Sequence, residues 1–196
     1  MTDESTERLA VDLDGAFPDL VRAYQDRLYG FALRLMNSPH DAEESIQDAF
    51  VRAYRALERY PVDRRRSLQV RPWLYRITLN VVRNRVRRPR IVTTDVDGPI
   101  GQSLAANRSE EPEEVVERAE RRDRLARAIS HLPERYATAV VLRHVQGLSY
   151  AEAAEVLEQP VGTTKSDVHR GVRMLREVLE RDPRDVADEE DMLTYA

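Results

Sequence analysis

The sequence contains no cysteine, which excludes disulfide bonds, thiolate zinc sites, cysteine nucleophiles and redox sensing by the protein's own thiols. Glycine is scarce and no stretch alternates as a strand does, so the sequence predicts an all-α fold. No apolar run approaches the roughly 18 residues of a membrane span. The first residues, MTDESTERLAVDLDG, are acidic and unlike a secretory signal. We therefore expect a cytoplasmic protein with no membrane insertion.

Lysine is almost absent, occurring only at Lys165, so arginine carries nearly all of the positive charge. The formal net charge of −4 conceals a strong segregation of charge along the chain. Between Arg59 and Arg90 the only acid is Asp63, whereas acids predominate in residues 95–123 and 182–191. Segregated charge in a nearly neutral chain predicts a polyanion-binding face with acidic segments elsewhere.

A helix-turn-helix pattern lies between Leu148 and Leu179. Ser149, followed three residues later by Glu152, predicts a capping box at the start of the first helix. The residues Glu158-Gln159-Pro160 interrupt the helical period, and a second helix follows with one apolar and one polar face. Such a polar face fits a DNA major groove, but a solvated helical hairpin has the same pattern. The pattern alone favours DNA binding only slightly.

The N-terminal half predicts a mobile tail at residues 1–13 and then three helices. The first begins at Asp14, the second spans Pro39–Arg59, and the third begins at Pro72 after a polar, basic loop at residues 60–71. Arginines hold phosphates, aromatic rings stack on unpaired bases, and amides read base edges, so this loop and helix suit a nucleic-acid surface. The alternative is a solvated basic helix.

The remaining segments divide the chain into two helical parts. Residues 91–111 show no helical or strand period and predict a flexible linker. A helix is expected from Pro112, and another over residues 134–146 that ends at Gly147. Residues 182–196 predict an acidic tail.

Both halves together resemble the extracytoplasmic-function (group IV) sigma factors of the sigma-70 family of bacterial RNA polymerase. The segments DAEESIQDAFVRAYRAL and RPWLYRITLNVVRNRVRR, with the basic loop between them, resemble region two. The segment LPERYATAVVLRHVQGLSYAEAAEVLEQPVGTTKSDVHRGVRMLREVL resembles region four. This resemblance implies two small helical domains, a region-two helical bundle at residues 14–90 and a region-four helix-turn-helix domain at residues 112–181, joined by the flexible linker.

The resemblance also implies roles for individual residues. The expected partners are core RNA polymerase, through its largest-subunit coiled coil and its flap, promoter DNA and an anti-sigma factor. The surface for the coiled coil corresponds to Glu44, Gln47 and Asp48. Recognition and melting of the minus-ten element correspond to Arg64, Arg65, Arg66, Arg71, Trp73, Arg76, Asn80, Arg83 and Asn84. Reading of the minus-thirty-five element corresponds to Thr163, Lys165, Ser166, Asp167, His169, Arg170 and Arg173.

Four features depart from the family pattern. Glu158 stands where a turn glycine is usual, and Gln159 stands where an aliphatic residue is common. Asp167 stands where arginine is typical, and we interpret it as a reading residue that repels phosphate and can accept a hydrogen bond from cytosine N4. The loop before the third helix is longer than usual. These departures predict a reshaped turn and an altered minus-thirty-five preference.

The sequence therefore predicts a sigma factor that binds core polymerase, selects promoters and melts the minus-ten element. The alternative within DNA binding is a helix-turn-helix regulator that never joins polymerase. A protein-binding adaptor that uses the basic region as a docking patch is a further alternative. No catalytic or metal-binding residues are identified, because the four histidines lack metal spacing and no nucleophile–base set or phosphate loop is present. We expect neither enzymatic activity nor a cofactor.

Overall fold

The computed structural model describes residues 3–87 and 124–180, and every regular element in these ranges is helical. The predictions for the linker at 91–111, for the acidic tail at 182–196 and for the start of the helix expected from Pro112 lie outside these ranges. The N-terminal helices are α1 (Asp3–Val11), α2 (Leu13–Met36), α3 (Pro39–Arg59), α4 (Val62–Arg66) and α5 (Val70–Arg87). The C-terminal helices are α6 (described over 124–130), α7 (Glu134–Val140, continued by a π-helical turn at Val141–Val145), α8 (Tyr150–Leu157) and α9 (Val161–Glu180).

Local capping signals fix the helix ends where the sequence predicted them. The Ser38 hydroxyl accepts from the backbone N–H of Asp41 at 3.3 Å, and Pro39 occupies the first turn of α3. At α8 the predicted capping box is present. The Ser149 N–H donates to Glu152 Oε2 at 2.7 Å, and the Glu152 N–H donates to Ser149 Oγ at 3.1 Å.

The mobile tail predicted for residues 1–13 is wrong over most of its length, because residues 3–11 form α1. Leu9 and Ala10 are buried, and α1 packs on α4 and α2. Arg65 of α4 donates to the Ala10 carbonyl at 3.1 Å, which ties the two helices together. Contacts with α4, about fifty residues further along the chain, thus stabilise α1. The polar composition of α1 does not by itself predict a helix.

The core of the N-terminal half lies between α2, α3 and α5. Phe31 of α2 is fully buried and meets the ring of Tyr75 edge-on, with centroids 5.3 Å apart. Leu57 of α3 and Leu74 of α5 are each 1% exposed in the same cluster. The helical periods read from the sequence therefore identify the faces that pack.

In the C-terminal half, Gly171 permits close packing of α9 on α7. A Cβ atom at this position would lie 2.5 Å from Val140 Cγ2 and 3.1 Å from the Tyr136 carbonyl oxygen. The backbone oxygen cannot turn away as a side chain can, so the space is fixed by the α7 main chain. Glycine is required here because a larger side chain would not fit, and not because the backbone adopts a conformation that favours glycine.

Replacing Gly171 with alanine is expected to lower the free energy of unfolding by about 1–3 kcal/mol through overpacking. The sign of this change in the free energy of unfolding is informative, because replacing glycine with alanine at an open helix position normally stabilises a protein by up to about 1 kcal/mol. Gly162, in the first turn of the same helix, provides the control, since a Cβ atom added there would meet nothing within 4 Å. Urea unfolding of both variants would contradict the close packing if Gly171→Ala matched or exceeded the control.

The two halves pack directly on each other through α5 and α8, and their buried residues form one continuous cluster. Tyr75 of α5 is fully buried at this junction, and its hydroxyl donates to Gln146 Oε1 at 2.7 Å. Burial raises the pKa of Tyr75 to about 12, so the hydroxyl keeps its proton and remains a donor. The two expected helical domains thus pack against each other as one unit.

Candidate nucleic-acid interface

The basic segment before α5 is not a simple loop, because residues 62–66 form the short helix α4. Its arginines have distinct surroundings. The Arg64 guanidinium lies 3.8 Å from the centroid of the Tyr60 ring. Arg65 points inward, donating from Nε to the Tyr60 carbonyl at 3.0 Å and from Nη1 to the Ala10 carbonyl. Arg65 therefore acts mainly as a structural link, and Arg64 remains the more available cation.

Arg66, the third arginine of α4, pairs with Glu7 of α1. Its Nε and Nη2 atoms donate to the carboxylate at 2.9 and 2.7 Å. The hydrogen bond from Arg66 lowers the pKa of Glu7. A phosphate at this place would compete with the α1 carboxylate for the same donors.

Trp73 was expected to contact DNA, and the structure contradicts this, because its side chain is only 2% exposed. It lies on the face of α5 that includes Val70 and Leu74, with its ring centroid 6.2 Å from that of Tyr60. The spacing of these apolar residues places tryptophan on the buried stripe of the helix. Trp73 thus supports the candidate surface from below.

The first arginine of α5 points toward the C-terminal half. Arg71 donates from Nη2 to the Gln146 carbonyl at 2.5 Å, and its Nη1 lies 3.8 Å from Glu152 Oε1. Its Nε is buried without a hydrogen-bond partner among the described residues. An unpaired buried donor is costly, and the Nε atoms of Arg85 and Arg143 are in the same state among the described residues.

Further along α5, two more arginines face acidic residues of the C-terminal half. Arg76 Nη1 lies 3.9 Å from Glu158, and Arg83 Nε donates to Glu134 at 2.9 Å. The side chains of Asn80 and Asn84 are exposed on the same helix. The predicted minus-ten residues of α5, apart from Trp73, thus lie on the surface or at the junction between the halves.

A polar cleft of about 340 Å³ opens beside Arg71. Its walls combine α1, α2, the segment before α5 and the first turn of α8, so both halves contribute to it. The lining residues are Thr6, Tyr24, Leu68, Gln69, Val70, Arg71, Pro72 and Glu152.

The residues predicted to face polymerase lie on α3. Gln47 and Asp48 are exposed, and Glu44 is half-buried. Arg85 of α5 pairs with Glu44 and donates from Nη2 to Asp48 at 3.3 Å. Burial opposes the charge of Arg85, but the hydrogen bonds to the two carboxylates outweigh it, and the pKa of Arg85 is raised. Arg85 therefore holds the carboxylates of Glu44 and Asp48 in place on this surface.

On α9, the predicted reading residues are mostly accessible. The exposed ones are Lys165, Ser166, His169, Arg170 and Arg173, and Thr163 is half-buried. Lys165 Nζ lies 5.7 Å from the centroid of the Tyr150 ring, which connects α9 with α8. This face offers donors of the kinds that contact phosphates and base edges.

Asp167 does not belong to that exposed face, which contradicts its assignment as a reading residue. It is 2% exposed and accepts from Arg135 Nε at 2.8 Å and from Gln159 Nε2 at 3.0 Å. A buried carboxylate needs such partners because desolvation disfavours its charge. Asp167 therefore cannot reach cytosine N4 in this arrangement.

The departure from glycine predicted a reshaped turn between α8 and α9, but the backbone keeps the conformation that a glycine would adopt there. Glu158 adopts a left-handed conformation with φ 53° and ψ 44°. Gln159, which the sequence marked only as a substitution for an aliphatic residue, donates to Thr164 Oγ1 at 3.1 Å as well as to Asp167. Polar contacts of Gln159 thus hold the start of α9.

Replacing Glu158 with glycine is expected to stabilise the C-terminal half by up to about 1 kcal/mol, because glycine adopts positive φ without steric cost. The contact with Arg76 is long and exposed and offsets little of this gain. Glu155, exposed within α8, is the control, since glycine there should destabilise by about 1 kcal/mol. Thermal unfolding that ranked Glu158→Gly with the control would contradict the inferred strain.

Residues outside the predicted site sets complete these surfaces. Glu134 and Gln146 hold α5 side chains across the junction, and Arg135 and Gln159 hold Asp167. Their partners are distant in sequence, so no local period identifies them. Arg135 carried one signal, because it is an arginine close to the start of the predicted helix at residues 134–146.

Within residues 3–87 and 124–180, no group of three acidic or histidine side chains could hold a metal ion. No helix in the described part of the chain is both long enough and apolar enough to span a membrane.

Comparisons with known proteins match both halves of the chain to one family. The Sigma-70 region 2 family matches residues 20–90, and the Sigma-70, region 4 family matches residues 122–175. The chain is 34% identical to the ECF RNA polymerase sigma factor SigW of Bacillus subtilis over 170 residues, covering 84% of this chain and 89% of the relative. It is 31% identical to the ECF sigma factor SigE of Mycolicibacterium smegmatis over 192 residues, covering 95% and 72%.

Solved structures agree with these sequence matches. CnrH, solved in complex with the cytosolic domain of CnrY, superposes with a TM-score of 0.66 at 25% identity, covering 92% of this chain and 97% of CnrH. The sigma factor RpoE of Bartonella quintana, solved with the anti-sigma factor NepR, shares the fold with a TM-score of 0.61 at 21% identity, covering 85% and 98%. Two matched regions in the family's order, on a helical fold that the family shares, show that the chain belongs to the extracytoplasmic-function sigma factors of the sigma-70 family.

Proposed function

We propose that this sigma factor directs core RNA polymerase to specific promoters, melts the minus-ten element with its N-terminal half and reads the minus-thirty-five element with α9. The observation that carries the proposal is the pairing of two surfaces in one chain. A polar cleft lined by Arg71 lies beside α5, and an accessible donor face lies on α9. Strand separation needs the first kind of surface, and duplex reading needs the second.

The cleft is suited to a base extruded from the duplex. Extrusion costs a few kcal/mol, and hydrogen bonds with a charged donor can offset a cost of this size without any fuel. Arg71 stands at the cleft with its Nε unpaired, and Arg76, Arg83 and the two asparagines continue along the same helix. The arginines would hold phosphates of the strand while the cleft holds a base.

The closed packing of the two halves bears on this mechanism. Carboxylates of Glu134, Glu152 and Glu158 lie beside the arginines that we assign to the minus-ten strand. A phosphate and a carboxylate cannot both hold the same donors, so DNA binding along α5 requires the halves to separate. Separation removes the α8 wall of the cleft and leaves the walls from α1, α2 and the segment before α5 to hold the base. Binding to core polymerase through α3 would favour the separated state if polymerase holds the two halves apart.

An anti-sigma factor is the expected regulatory partner. Two structural relatives were solved in complexes, one with the cytosolic domain of CnrY and one with the anti-sigma factor NepR. A protein that binds the closed arrangement would keep the α5 arginines paired with region-four carboxylates. We place the protein in the cytoplasm, because its proposed partner and substrate are located there.

The proposal is tested by in vitro transcription with core polymerase on a genomic fragment library, followed by mapping of start sites. We expect the chain to copurify with core polymerase and to produce a set of starts that share upstream elements. Core polymerase without the chain is the control. If the chain binds the selected fragments equally well without core polymerase and adds no starts, it acts instead as a helix-turn-helix regulator.

A further inference from the structure

A buried charge cluster joins the start of α7 to the recognition helix. Asp167 is the only charged side chain among the described residues that is buried. Its Oδ2 atom accepts from both Arg135 Nε and Gln159 Nε2, at 2.8 and 3.0 Å. The carboxylate is therefore held between α7 and the turn before α9, in a fixed position.

The side chains of Arg135 and Asp167 differ strongly in their exposure to solvent. It is 59% accessible, against 3% for the side chain of Asp167. The hydrogen bond uses Nε, and no described residue accepts from the two terminal amino groups. Fixing an arginine by one edge leaves its other donors in a defined direction, which is how planar guanidinium groups recognise phosphate.

The position of this guanidinium places it beside the reading face. On α9, residues three and four positions apart are surface neighbours, so Thr163 and Arg170 flank Asp167. Both belong to the predicted reading set, and Arg170 is exposed. A cation anchored on Asp167 therefore borders the N-terminal half of the recognition helix, the part that enters the groove in helix-turn-helix proteins.

We propose that Arg135 contacts a DNA phosphate beside the minus-thirty-five element and that Asp167 is the positioning residue that holds it there. This inference rests on the proposed function of α9. Gln159 completes the anchor by donating to the same oxygen. In this chain an acidic residue of the recognition helix thus favours DNA binding indirectly, although its own charge repels phosphate.

The test uses the full-length chain assembled with core polymerase and a duplex fragment selected by the wild-type protein. Affinity is measured across a range of salt concentrations and on single-base variants of the minus-thirty-five element. Arg135→Ala is expected to weaken binding by about fivefold to tenfold on all variants alike. It should also reduce the magnitude of the salt slope by about 1, as loss of one phosphate contact does.

The Asp167→Asn variant distinguishes a positioning role of Asp167 from a direct electrostatic effect of its charge on DNA. Removing a negative charge near DNA should by itself strengthen binding, whereas loss of the anchor should weaken it. We expect weaker binding in the wild-type background and no further weakening in Arg135→Ala. Asparagine keeps an acceptor oxygen, and thermal unfolding reports whether the variant still folds. If it does not fold, the exposed Arg135→Ala change still decides the proposal.

Arg127→Ala is the matched control, since Arg127 is an exposed arginine of α6 outside the predicted reading set. An unchanged salt slope in Arg135→Ala, or stronger binding by folded Asp167→Asn, would overturn the inference. A loss of affinity confined to particular bases would also overturn it, because a phosphate contact carries no sequence information. Failure of the wild-type chain to bind promoters with core polymerase would refute the proposed function instead.

Discussion

Replacing Arg71 with alanine is expected to reduce promoter opening by the assembled polymerase at least about tenfold, the size expected for a lost hydrogen bond to a charged group. Arg71 lines the cleft and places its positive charge beside it. Without it, an extruded base or its phosphate would lose a charged partner. The effect should appear in permanganate footprinting of the minus-ten region and in the rate of open-complex formation.

Binding to core polymerase should be unchanged in Arg71→Ala, because Glu44, Gln47 and Asp48 lie on a different helix. The control is Arg22→Ala, an exposed arginine of α2 that pairs with Asp19. Arg71 also contacts Gln146 and Glu152, so thermal unfolding of the variant must be compared with that of wild type. Normal promoter opening by a folded Arg71→Ala protein would refute the assignment of the cleft.

Replacing Phe31 with alanine is expected to lower the free energy of unfolding by about 3–5 kcal/mol, the range found for buried aromatic truncations. Phe31 is fully buried and meets Tyr75 edge-on, so truncation removes packing from both α2 and α5. The cavity would open beneath the helix that carries the minus-ten arginines. Urea unfolding measures the loss directly.

Val51→Ala provides the comparison for Phe31→Ala. Val51 lies on α3 and is 49% exposed, so its truncation should change stability by no more than about 0.5 kcal/mol. Because the two halves share one buried cluster, Phe31→Ala should also reduce the cooperativity with which they unfold together. Similar unfolding midpoints for the two variants would show that the α2–α5 contact contributes little.

Helical periodicity predicted the long elements well, since α3 begins at Pro39 and ends at Arg59 as expected. It missed α1, where Leu9 and Ala10 supply only a short apolar stripe within a polar segment. The contacts that stabilise α1 come from α4, and no pattern within residues 1–13 encodes them. Short helices depend on tertiary partners more than on their own propensity.

The site was predictable in its chemistry and less so in its geometry. Asp167 lies three residues after Thr164 and four before Gly171, so helical spacing already placed it at the edge of the buried stripe. Its charge nevertheless suggested exposure, because charged residues are rarely buried unless paired. The partner that permits burial, Arg135, lies 32 residues upstream, beyond the reach of a local pattern.

Trp73 shows the opposite difficulty. The family resemblance suggested a contact with DNA, whereas its spacing from Val70 and Leu74 indicates the buried face. In the structure Trp73 is buried, as its spacing indicates. For large apolar side chains on an amphipathic helix, periodicity is the stronger guide, because burial of an indole ring contributes more than an occasional surface contact.

The π-helical turn at Val141–Val145 determines how the loss of a residue from region four would affect the helices that follow. Here the Gln146 N–H bonds to the Val141 carbonyl, five residues back, at 2.9 Å. Removing one residue would restore ordinary α-helical bonding and rotate everything downstream by about 100° around the α7 axis. The extra residue thus sets the rotation of α8 and α9 about the α7 axis, and a one-residue deletion would move α9 away from the surface of α7 that Gly171 contacts.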